Sequence, residues 1–187
     1  SLNVSHNQLN YLDLSGVPRL EHLVANNNSL SSPPDWAGCP DLKTVNLCDN
    51  FLSGPLLLPE DSCSIDDLRV DGNRITAVCF QGTRCLSLAS VSISDNRVEG
   101  LGWLAQIARH CPRLEIVVAA QNRMSCSVAE ASECLRWVSQ LRSLDLRGNA
   151  LSSSPDNGER LDYRYASVLL PRPFFLYVIL TICFMYY

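Results

Sequence analysis

The sequence is poor in what most site chemistries require. Of its 187 residues only 18% are charged and 7% aromatic, and there are three histidines. Acidic residues outnumber Lys and Arg, leaving a formal net charge of −4. That balance argues against generic nucleic-acid binding, in which basic charge must displace counterions. Nine glycines and ten prolines are too few for a fibrous or disordered chain. There is no Walker loop, and Gly100-Leu101-Gly102 lacks the third glycine of a dinucleotide fingerprint. No serine sits in a nucleophile elbow, and no cysteine–histidine spacing suits zinc, so neither cofactor nor metal is expected. The first residue is Ser1 and no charged-then-apolar leader stands before the domain, so the chain reads as a fragment.

What the sequence has is a repeat. Asn7, Asn28, Asn50, Asn73, Asn96, Asn122 and Asn149 share one frame, with spacings of 21, 22, 23, 23, 26 and 27 residues. Around each runs apolar-x-x-apolar-x-apolar-x-x-Asn-x-apolar, best kept in Leu42-Val45-Leu47-Asn50-Leu52 and Leu141-Leu144-Leu146-Asn149-Leu151. The first copy is truncated to Leu2, Val4, Asn7 and Leu9. An apolar-x-apolar step has the two-residue period of a strand, so its apolar residues share one face. One such strand cannot hide that face alone, and only stacked copies bury a continuous core.

On these motifs the chain resembles the leucine-rich repeat family over residues 1–155, leaving 156–187 as a non-repeat tail. The resemblance implies an α/β solenoid of about seven repeats, with short parallel strands on the concave side. It also implies that the seven asparagines turn inward to satisfy backbone groups, a structural ladder. Proline turns such as Leu30-Ser31-Ser32-Pro33-Pro34 predict turns on the early convex side. Two longer linkers predict helices later. Leu101, Leu104, Ile107 and Ala108 fall on one helical face, as do Val128, Ala131, Leu135 and Val138 after a capping box of Ser127 and Glu130.

Nine cysteines are an odd count for disulfides. In the repeat frame Val17, Cys39, Ser62, Cys85, Cys111 and Val138 occupy one position. That alternation predicts buried reduced thiols, although Cys85 and Cys111 fall within disulfide reach in adjacent repeats. The sequons Asn3-Val4-Ser5 and Asn27-Asn28-Ser29 read as accidental products of an Asn- and Ser-rich repeat. His6, His22 and His110 are spread through the frame and read as surface groups. No Ser/His/Asp set is brought together by the stacking, so catalysis within these residues is not expected.

Function is therefore sought on the concave ladder, where residues between the apolar ones face solvent. The candidate partner-binding residues are Asn46, Asp67, Arg69, Asp71, Ser92, Ile116, Val118, Ala120, Asp145 and Arg147. Ile116, Val118 and Ala120 set apolar side chains beside the polar group Asp67, Arg69 and Asp71, the kind of patch that marks partner sites. The leading expectation is a non-catalytic, cytoplasmic scaffold or signalling module that binds a protein partner.

Two alternatives accompany it. The stretch Asn7-Gln8-Leu9 to Leu12-Asp13-Leu14, continuing to Leu30, is similar to the repeat region of the pleckstrin-homology-domain leucine-rich-repeat phosphatases. That resemblance implies a regulatory fragment whose catalytic domain would lie elsewhere. The other alternative starts from residues 168–187, which are apolar except for Arg172, Thr181 and the tyrosine hydroxyls and are broken by Pro171 and Pro173. Three readings of them compete: a membrane anchor for an adhesion-type repeat protein, a cap on the open end of the solenoid, or translated non-coding sequence.

Overall fold

The computed structural model describes residues 1–58, 64–80, 85–127, 134, 141–152, 165–166 and 177–181. In chain order the first elements are β1 (Leu2–Asn3), β2 (His22–Val24), β3 (Thr44–Asn46), β4 (Ser53–Leu58), β5 (Asp67–Arg69), β6 (Arg74–Phe80) and β7 (Ser90–Ser92). There follow α1 (Gly102–His110), β8 (Ile116–Val118), β9 (Ser125–Ser127), β10 (Ser143–Asp145) and β11 (Ala150–Ser152).

The chain coils into a solenoid. β1, β2, β3, β5, β7, β8 and β10 pair in that order as one parallel sheet, one strand per repeat. The register is unbroken: Leu2 lies opposite Leu23, and the column continues through Val45, Leu68, Val91, Val117 and Leu144. From Leu23 onward every member of that column is buried, while its strand neighbours face outward. The two-residue period thus does what the repeat frame requires. Past β10 the sheet is continued by Tyr177–Thr181, parallel, and Tyr165–Ala166, antiparallel.

The asparagine column stitches the coils together. Asn96 is typical. Its Nδ2 donates to the carbonyls of Ile93 (3.1 Å) and Ser94 (2.9 Å) in its own coil and of Val70 (3.0 Å) in the preceding one. Its Oδ1 accepts the Ile75 N–H at 2.9 Å. Asn28, Asn50, Asn73, Asn122 and Asn149 are likewise buried, and each accepts a backbone N–H from the coil before it. Asn7 departs from the expected inward set. Among the described residues it is exposed and donates to Val4 and Ser5 of its own coil.

The convex side differs from expectation in its middle. Early turns are present at residues 31–38, and α1 buries Leu104 and Ile107, with Leu101 at its start. Between them lie two strands that the turn-then-helix reading omits: β4 and β6 form a separate parallel pair, as do β9 and β11 later. The β4/β6 register shifts between Gly54 and Pro55. A proline has no N–H to give the ladder, so it sits where the ladder is already interrupted. Of the expected second helix, the capping-box residue Ser127 closes β9, while residues 128–133 and 135–140, like most of the tail, lie outside the described residues.

Candidate functional site

The sheet's solvent side is built from the flanking residues of each three-residue strand. Register places Thr44, Asp67, Ser90, Ile116 and Ser143 in one row. Asn46, Arg69, Ser92, Val118 and Asp145 form the next. Ser90 and Ser92 therefore separate Asp67 and Arg69 from Ile116 and Val118 by one strand. Neighbouring strands lie about 4.8 Å apart, so the polar and apolar groups are about 10 Å from each other.

The polar group is internally wired. Arg69 Nε donates to Asp67 Oδ2 at 2.9 Å. Asp71 accepts from the Ser92 hydroxyl at 2.6 Å and from the Ser94 N–H at 2.7 Å. Asn46 Oδ1 accepts the Cys48 N–H at 3.1 Å. Asp67 Oδ1, at this face, has no hydrogen-bond partner among the described residues. At the far end Arg147 forks onto Asp145, with Nη2 to Oδ2 at 2.6 Å and Nε to Oδ1 at 2.9 Å. Burial pushes the Asp145 carboxyl up, but the Arg147 hydrogen bonds and charge outweigh it and hold the group below the usual carboxylate range. On the apolar strand Ile116 is 40% exposed, and Val118 and Ala120 are half-buried.

Cys48 was not among the candidates, yet it lies on this face. Its thiol donates to Asp71 Oδ2 at 3.4 Å. Burial, reinforced by the Asp71 charge, pushes it up to about 12. The folded chain is expected to alkylate at Cys48 at least about tenfold more slowly than the unfolded chain, since only the thiolate reacts. Asp71→Asn should speed the reaction; peptide mass spectrometry after an iodoacetamide pulse measures both. The folded value lies above the unfolded one. The stability contributed by the protonated thiol is therefore complete below the reference value of 9.0 and is lost as pH rises from there towards about 12.

Cys39, Cys79 and Cys111 are reduced thiols. Cys85 and Cys111 are buried in adjacent coils, where the Cys85 hydrogen bond and burial push the Cys111 thiol up. Of the histidines, His22 bonds Thr44 Oγ1 at 2.9 Å across β2 and β3. Among the described residues no group of three or more His, Cys, Asp or Glu is placed to hold a metal ion. Among them, too, no helix is long and apolar enough to cross a membrane.

Comparison with known proteins places the architecture. The Leucine Rich Repeat family matches over residues 140–161. No curated protein matches the sequence. Similar solved structures include the leucine-rich repeat domain of APL1B, at 23% identity and TM-score 0.62, covering 80% of this chain and 41% of that one. The APL1 leucine-rich repeat domain is 20% identical with TM-score 0.56, covering 80% and 43%. A chain of the LRIM1/APL1C complex is 17% identical with TM-score 0.52, covering 80% and 34%. This chain thus spans less than half the length of each, and at such identities the likeness is one of fold: a parallel-strand solenoid of leucine-rich repeat type.

Proposed function

We propose that the solvent side of the long sheet, the concave face expected of this architecture, is a protein-binding surface, and that these repeats act by binding rather than catalysis. The observation that carries the reading is the exposed Ile116 with Val118 and Ala120 beside it on an otherwise polar sheet. An apolar patch bordered by polar groups is what a partner's anchor residues seek. The wired Asp67–Arg69 and Asp71–Ser92 groups supply the orienting polar rim. The fold is shared with a chain of the LRIM1/APL1C complex, which supports a protein as the partner class.

The test is affinity capture by the wild-type chain against the Ile116→Asp/Val118→Asp double variant, with captured proteins quantified by mass spectrometry. Both positions are at least partly exposed, so the fold tolerates the change. A partner enriched by the wild type is expected to fall to background with the variant. An unchanged set of captured proteins overturns the reading.

A further inference from the structure

The residue after each inward asparagine lies outside the core, on the edge of the solenoid where each coil leaves the long sheet. In the middle coils it is Phe51, then Arg74, Arg97 and Arg123, all exposed. The backbone fixes them as rungs. The N–H of Phe51 donates to Leu30 O at 2.9 Å and that of Arg74 to Leu52 O at 2.8 Å. The N–H of Arg97 donates to Ile75 O at 2.9 Å and that of Arg123 to Val98 O at 3.0 Å. Coils joined by such bonds repeat at about the strand spacing of 4.8 Å. Side chains on successive rungs do meet: the Arg74 guanidinium carbon lies 4.6 Å from the centre of the Phe51 ring.

Arg69, Arg142 and Arg147 each have a carboxylate partner. Among the described residues Arg74, Arg97 and Arg123 have none. Three like charges on neighbouring rungs repel one another, in a chain whose net charge is −4. An anion with several closely spaced charges removes that repulsion, and guanidinium forks fit carboxylates two oxygens at a time.

The geometry points to an anion-binding ladder of Arg74, Arg97 and Arg123 whose occupant is a peptide segment with clustered carboxylates. Asp95 and Glu99 flank Arg97 in sequence and would repel a long polyanion that continues well past the three rungs, as a short acidic peptide does not. A peptide can confine its carboxylates to the three rungs, a span of about 10 Å. The Phe51 ring, 46% exposed at the end of the ladder, offers a seat for an adjoining apolar side chain.

Fluorescence anisotropy with labelled hexaglutamate and hexaglutamine peptides tests this on the full chain. Hexaglutamate is expected to bind at low salt and hexaglutamine not. Arg97→Gln and Arg123→Gln should each weaken binding about tenfold, as loss of a charge-assisted hydrogen bond implies. Arg142→Gln, a paired arginine on another surface, should leave it unchanged. The inference is overturned if the Arg97→Gln/Arg123→Gln double variant binds hexaglutamate like the wild type. It is equally overturned if heparin or a single-stranded oligonucleotide competes as the tighter ligand. The wild-type chain also decides by itself, since a preference for hexaglutamate under about twofold contradicts a carboxylate ladder.

Discussion

Replacing Asn96 with alanine is expected to destabilise the chain by about 4–6 kcal/mol, read as a lowered midpoint in urea denaturation. The size follows from which groups lose everything and which lose one partner of two. The Asn96 amide donates to Val70, Ile93 and Ser94 carbonyls, but each of these has another donor. Val70 O also accepts from Asn73, Ile93 O from Asn122, and Ser94 O from the Gly72 N–H. Only the Ile75 N–H, held by Asn96 Oδ1 at 2.9 Å, is orphaned in the interior. An orphaned buried donor costs about 1–3 kcal/mol and each forfeited bond about 1 kcal/mol. Asn7→Ala is the internal control. Its two bonds are made at an exposed site, where water replaces them, and its cost should stay under about 1 kcal/mol. Equal effects at positions 7 and 96 would refute the ladder as the seam between coils.

That contrast marks what sequence periodicity can reveal. The frame of apolar positions was legible because burial on one strand face imposes a two-residue period, and the period recurs in every coil. Leu23, Val45, Leu68, Val91, Val117 and Leu144 therefore fall in register as the pattern implies. The exposure of Asn7 goes with the absence, among the described residues, of any bond from its amide to a second coil, which a per-repeat motif does not encode. β4 was hidden for a local reason: Ser53-Gly54-Pro55 carries turn residues, and its pairing with β6 is made across coils, not within one. In the candidate site, the sheet rows follow directly from register, so Ile116, Val118, Asp67 and Arg69 were placeable from spacing alone. The Cys48–Asp71 contact and the stacking of Arg74 on Phe51 depend on side-chain directions that spacing leaves open.

A second column was concealed because its members look unrelated. The residue before each asparagine adopts positive φ in every coil: His6, Asn27, Asp49, Asp95 and Gln121 at 52–55°, Gly72 at 65° and Gly148 at 71°. The left-handed region is where the strand must turn to bring the asparagine inward, and Asn, Asp and Gly tolerate it best. Gly72→Val is therefore expected to cost about 2–4 kcal/mol. A branched Cβ is strained at that φ whatever the space around it. The space is also taken: a Cβ built on Gly72 runs into Asp49 Oδ1, with Asp49 Cγ and the Asp49 backbone nitrogen each at 3.4 Å. The two causes separate by substitution. Gly72→Asn should be the mildest, Gly72→Ala intermediate at about 1–2 kcal/mol, and Gly72→Val the worst. In an Asp49→Ala background the steric part of the Gly72→Ala cost should disappear while the backbone part stays, leaving a coupling of about 0.5–1 kcal/mol between the two sites. Urea denaturation of the four chains of that cycle measures it. If valine were tolerated at position 72 as well as asparagine, the positive-φ turn could not be what aims the asparagines into the core.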